Sequence, residues 1–290
     1  MPLVSSRPRR VAGWALLALL LPAAPGCWVP RRLSDSDRYR RGIVYVLPGI
    51  EGRSPWNRNI ALGLDAGGVR SAIEVYDWTS GLPGGYVYNL ADLRRNRREA
   101  RKLADRIISY RQRYPGAPVH IVGHSAGGGI AVLTLEALPA GRQIDMAILL
   151  APALSRDYDL STALRRTSFG VCNFYSNKDL GFLKLGTSLF GAVDRNFGYS
   201  AGAVGFEQPP GLGRAESQLY DQRLRQVRWT PRLREVGASG GHFGWASSQF
   251  ATEYLAPLIV AHETMRPTAP RPRPSPPSEP RPAPPSESRP

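Results

Sequence analysis

Short apolar runs alternate along the chain with stretches in which apolar residues recur every three or four positions. Gly42-Ile-Val-Tyr-Val-Leu47 is β-branched and apolar and is stopped by Pro48-Gly49, which predicts a buried strand ending in a turn. Asn57–Gly67 has helical spacing of Ile60, Leu62 and Leu64, and Ser71–Trp78 reads as a second strand. Leu90–Tyr114 places Leu93, Ala100, Leu103, Ala104, Ile107 and Ile108 on one helical stripe. Arg94, Arg95, Arg97, Arg98, Arg101 and Lys102 occupy the rest of that helix, as on a solvated outer face. Val119–Val122 and Met146–Leu150 are further strands enclosing a helix over 128–138, Val171–Tyr175 is another strand, and 246–261 reads as a final helix. Regular strand and helix alternation of this kind predicts an α/β fold, a doubly wound, mostly parallel sheet.

Both ends depart from this pattern. Arg7, Arg9 and Arg10 precede the uncharged run Val11–Leu21, which is followed by Pro22-Ala-Ala-Pro-Gly-Cys27. Charged, apolar and small-residue regions in that order are an export signal, and the strongly apolar part is short of the roughly 20 residues a membrane-crossing helix needs. Cys27 after Gly26 and Ala24 resembles the bacterial lipobox, with Pro25 and Ala24 departing from its usual residues; acylation of Cys27 and ordinary cleavage nearby both stand. The expected address is the cell envelope, either as exported protein or as a membrane-anchored lipoprotein. From Arg266 the chain alternates Pro with Arg, Ser, Ala and Glu, a composition that cannot bury enough apolar surface to fold. The expected division is a signal over 1–27, a linker over 28–41, one folded domain over 42–265 and a disordered tail over 266–290. Oligomeric state leaves no trace in the sequence.

The formal charge of +15 does not mark a nucleic-acid surface. Residues 1–41 hold +6 of it and residues 266–290 hold +3, so the domain keeps +6, most of it on the helix of 90–114. That stretch lacks the interleaved aromatic or base-reading side chains of a nucleic-acid site. Cys172, in the run Phe169–Tyr175, reads as a buried free thiol; it could pair with Cys27 only if Cys27 is not acylated.

Between the strand of 119–122 and the helix of 128–138 lies Gly123-His124-Ser125-Ala126-Gly127. A serine hydroxyl needs a base at hydrogen-bond distance and donors for the oxyanion that forms on attack. Forcing a strand to reverse into a helix at Gly-x-Ser-x-Gly puts Ser125 in a strained backbone conformation between two glycines, and the Ala126 N–H opens the helix toward the same space. This strand, motif and helix resemble the α/β-hydrolase family of esterases and lipases over most of residues 42–262. The resemblance implies a serine, acid, histidine order. His242, in the glycine-rich loop Gly237–Trp245, matches the family's base, whereas His262 reads as a surface residue and His120 and His124 as structural. Asp179, in the loop after the strand of 171–175, matches the family's acid. Its chief rival is Asp194; Asp157 and Asp159 read as helix caps near Leu160. The resemblance also places a second oxyanion donor at the Ile50 N–H, with Pro48-Gly49 where the family has His-Gly.

The expected activity is carboxylic ester hydrolysis through an acyl-enzyme on Ser125, His242 and Asp179, with Ala126 and Ile50 as oxyanion donors. The expected partner is a small-molecule or lipid ester. No residue set has metal-ligand spacing and no nucleotide motif is present, so no cofactor is expected. Amidase or thioesterase activity on the same triad, or a catalytically idle fold binding in the envelope, are the alternatives. The glycine-punctuated apolar segment 180–208 is either an acyl pocket or a packed loop.

Overall fold

A computed structural model describes residues 29–82, 84–179, 193–194 and 198–265. The leader with Cys27, most of 180–197 and the tail fall outside them. Six strands form one sheet: β1 (Ile43–Leu47), β2 (Ala72–Val75), β3 (Val119–His124), β4 (Ile144–Leu150), β5 (Thr167–Tyr175) and β6 (Leu224–Arg228). All pairings are parallel and the order is β2-β1-β3-β4-β5-β6. β1, β3 and β4 are buried at every position, which explains their continuous apolar runs. β6, Leu-Arg-Gln-Val-Arg, is a half-exposed edge strand whose polarity hides it from hydropathy.

The connections are α1 (Ser36–Arg41) before the sheet, α2 (Pro55–Ala66) between β1 and β2, and α3 (Tyr86–Ala91) with α4 (Leu93–Arg113) between β2 and β3. They continue with α5 (Ala126–Ala137), α6 (Ser161–Arg165), α7 (Arg214–Arg223) and the terminal α8 (Ala256–Met265). Alternate residues of β1 feed two cores. Ile43, Tyr45 and Leu47 pack with α4, α5 and α6, whereas Val44 and Val46 pack with α2 and the C-terminal helical segment. None of the described helices is long and apolar enough to cross a membrane.

Four expectations change. The helix of 90–114 is broken at Asp92, whose carboxylate accepts from the Arg95 N–H at 2.9 Å and caps α4. Arg95 then turns inward, buried against Trp78: it donates to the Trp78 carbonyl at 2.6 Å, with the guanidinium 5.8 Å from the indole centroid. The final helix is segmented, a 3-10 turn at His242–Ala246 leading through Ser248–Phe250 and a π turn at Ala251–Leu255 into α8. The stretch 28–41 is no free linker where it is described, since Leu33 is fully buried and Arg38 donates to the Ser71 carbonyl at 3.2 Å and pairs with Asp65.

His262 is the fourth correction. It is buried rather than on the surface, its ring edge-on to His120 at 5.1 Å and to Phe169 at 3.7 Å, beside Asp145 at 3.9 Å. The neighbouring Glu263 accepts from Ser71 Oγ at 2.5 Å. These contacts dock α8 against the N-terminal ends of β2, β3 and β4.

Candidate active site

From β1 the chain winds outward to β2 in one direction and returns to β3 on the other side. In open parallel sheets, ligands bind in the crevice outside the strand C-termini where the order reverses, here between β1 and β3. Leu47-Pro48-Gly49 and His124-Ser125 end those two strands.

Ser125 has φ 55° and ψ −125°, in the left-handed region that a non-glycine residue enters only when its surroundings fix it. Three hydrogen bonds do so: its N–H donates to the Leu150 carbonyl at 2.9 Å, and its carbonyl accepts from Gly128 at 2.9 Å and Ala153 at 3.0 Å. Ala151, φ 47°, bends the chain after β4 so that Ala153 can reach it. A side-chain carbon on Gly123 would collide with the Gly127 carbonyl, and one on Gly127 with the carbonyls of Leu47 and Pro48. Both glycines are therefore required by close backbone approach. Ala126 is the first residue of α5, so its N–H has no acceptor within the helix.

The loop after β1 is fixed peptide by peptide. Trp78 Nε1 donates to the Pro48 carbonyl at 2.8 Å, the Gly52 N–H to the Gly49 carbonyl at 3.2 Å, and Asn89 Nδ2 to the Ile50 carbonyl at 3.0 Å. In a trans peptide the C=O and N–H point oppositely, so holding the Gly49 carbonyl into the turn aims the Ile50 N–H out of it. Asn57 Nδ2 ties the far end through the Gly52 carbonyl at 2.9 Å. These supports left no signal in the sequence, because each joins side chain to backbone without any periodic pattern.

Asp179 closes a one-turn 3-10 helix, Asn177–Asp179, at the end of β5. His242 Nδ1 and Asp179 Oδ2 lie 2.7 Å apart, both side chains buried. Ser176 Oγ donates to the Gly240 carbonyl at 2.6 Å, binding the acid loop to the histidine loop. Phe243 stacks on Trp56 at 4.1 Å and closes the flank between that loop and α2. Asp194 instead accepts from Ser155 Oγ, and Asp159 accepts from the Ser161 N–H at 2.8 Å, as a cap would. Of the candidate acids, Asp179 is the one placed in hydrogen-bond contact with His242 Nδ1.

His124 Nε2 donates to the His242 carbonyl at 3.0 Å and its ring lies 4.9 Å from that of His242. Burial, and then the neighbouring His242 charge, push the His124 pKa down to about 3, so His124 is neutral and carries its proton on Nε2. Below the ordinary histidine pKa of about 6.5 the unfolded chain takes up a proton that folded His124 refuses until far lower pH. Stability contributed by His124 is thus intact above pH 6.5 and falls by about 3 kcal/mol on reaching about pH 4. In His124→Asn the melting temperature should decline less steeply over that window; an unchanged slope would remove His124 from the acid response.

A further carboxyl, Glu51, stands in the loop after β1. A carbon on Gly49 would overlap Glu51 Oε2 and lie 3.3 Å from Ser125 Cβ, so the Glu51 carboxyl and Ser125 both border Gly49 with no room for a side chain there. Desolvation raises its pKa, opposed by backbone N–H groups, the Ser54 hydroxyl at 3.2 Å and the charge of His242. Sequence reading passed over Glu51, because a single acid after a turn carries no pattern.

Of the segment 180–208, Val193 lies against Gly129 and Ala201, Ala203 and Phe206 are buried, whereas Tyr199, Glu207 and Gln208 are exposed. Cys172 is a buried free thiol whose pKa burial pushes up to about 11, which leaves it inert.

The sequence pattern of the serine aminopeptidase family S33 matches residues 40–177. No functionally curated protein matches the chain. Among solved structures, Est1E from Butyrivibrio proteoclasticus is 11% identical, covering 77% of this chain and 88% of its own, with a TM-score of 0.45. The esterase domain of a Rhodothermus marinus protein is 12% identical, covering 78% and 87%, with a TM-score of 0.38. Carboxylesterase CesB from Bacillus subtilis is 10% identical, covering 76% and 84%, with a TM-score of 0.37. Residues 40–177 thus match a family of the α/β-hydrolase kind, and the six-stranded parallel sheet flanked by helices is the architecture that match implies.

Proposed function

We propose that the protein hydrolyses carboxylic esters through an acyl-enzyme on Ser125. The observation that carries this reading is the buried Asp179–His242 hydrogen bond at the same strand-end crevice as the strained Ser125. With Nδ1 of His242 committed to Asp179, Nε2 takes the Ser125 proton as Oγ attacks the ester carbonyl. The same nitrogen returns the proton to the departing alcohol. Ala126 and Ile50 N–H groups hold the oxyanion, and they gain most when charge develops on that oxygen. Water then repeats the sequence on the acyl-enzyme and frees the acid.

A second reading is cleavage of an amide next to a free amine. Glu51 favours it, since a desolvated carboxyl bordering the same glycine as the nucleophile suits an ammonium group. Turnover of short aryl esters, set against aminoacyl anilides of matched leaving group, separates the two. Ester hydrolysis is expected to dominate. A preference for the anilides that Glu51→Gln removes would transfer the function to aminopeptidase chemistry.

A further inference from the structure

The first half of α4 carries its charge at the end least suited to it. A helix N-terminus bears partial positive charge, so cations in its first turns cost stability unless something anionic lies opposite. Arg94, Arg98 and Arg101 are exposed and, spaced by four and three, share one stripe. None of the three forms a direct ion pair among the described residues, and the carboxylate that caps that end, Asp92, acts on Arg98 without bonding to it. The pairs that α4 does make, Lys102–Glu99 at 2.9 Å, Arg106–Glu74 at 2.5 Å and Arg111–Asp145 at 2.7 Å, use other cations.

That stripe lies at the catalytic end of the molecule. Arg95 holds Trp78, which holds the Pro48 carbonyl, and Asn89 of α3 holds Ile50. The connection leading into α3 exposes Leu82 by 63%, and α3 itself exposes Tyr88 by 46%, two of the few large apolar side chains so open.

We propose that this end docks on an anionic lipid bilayer, with Arg94, Arg98 and Arg101 on headgroup phosphates and Leu82 and Tyr88 at the acyl boundary. Each arginine near such a surface contributes a few-fold in affinity, and exposed apolar side chains beside them enter the interfacial layer. A nucleic-acid duplex would meet the arginines equally well but would leave Leu82 without a role. Docking in this pose turns the crevice between β1 and β3 toward the membrane, whatever bond the site cleaves.

Flotation of the full chain with phosphatidylcholine vesicles, with and without phosphatidylglycerol, tests the surface. Binding to the anionic vesicles should exceed binding to the neutral ones. The combined Arg94→Gln, Arg98→Gln, Arg101→Gln variant should lose that preference by about a hundredfold with a melting temperature no lower than the original. Leu82→Ser with Tyr88→Ser should weaken binding to anionic vesicles while leaving hydrolysis of a soluble ester as it was. The proposal is overturned if the triple variant keeps the preference or neutral vesicles bind equally. It is also overturned if a short DNA duplex binds as tightly as anionic vesicles and the serine substitutions change nothing.

Discussion

Ser125→Ala is expected to abolish labelling by a fluorophosphonate and to lower ester turnover by about a millionfold, the scale seen when a serine nucleophile is removed. The hydroxyl oxygen forms the bond that defines the acyl-enzyme, and no neighbouring side chain can replace it at the same point. The variant should keep its fold, because alanine meets the same penalty at φ 55° that serine does and the three backbone bonds holding residue 125 use no side-chain atom. Ser125→Gly should melt higher than either, since glycine enters that region without strain. Persistent labelling of Ser125→Ala in folded protein would mean that the nucleophile lies elsewhere.

Asp179→Asn should cut turnover by about 10⁴ while leaving substrate binding near its original value. The acid acts through His242 alone: Oδ2 sits 2.7 Å from Nδ1 and fixes which ring nitrogen carries the proton. An asparagine amide of the same shape can present its NH₂ to Nδ1 and favour the tautomer whose proton faces the serine, which cannot accept another. The cost therefore falls on kcat. Asp194→Asn, which touches Ser155 instead, should retain nearly full activity; the reverse pattern in the two variants would reassign the acid.

The legibility of these features follows their physics. Ser125 could be read because its glycines answer a local steric demand written within five residues. The neighbourhood of His242 and Asp179 stands out as a candidate because few histidines follow the serine and because a polar loop after an apolar run is a local signal. Asp194 stays a rival in sequence, since each follows an apolar stretch, and tertiary placement is what brings Asp179 to the imidazole. Arg95 shows the opposite case: within a basic helix its burial depends on Asp92 breaking the helix and on Trp78 arriving from 17 residues away. His262 was misread for a related reason, because a histidine at the end of a helix looks exposed until that helix is docked on the sheet. β6 escaped notice because an edge strand is held by backbone pairing, and Leu-Arg-Gln-Val-Arg is free to be polar.

The docking of α8 gives the molecule a direction. Its Glu263 and His262 sit against Ser71, His120 and Asp145, at the starts of β2, β3 and β4, whereas the crevice with Ser125 lies at the strand ends. The described chain thus leaves at Met265 from the pole remote from the crevice at Ser125. A fluorescent reporter or affinity handle joined directly after residue 265 departs from the pole opposite that crevice and leaves it unobstructed.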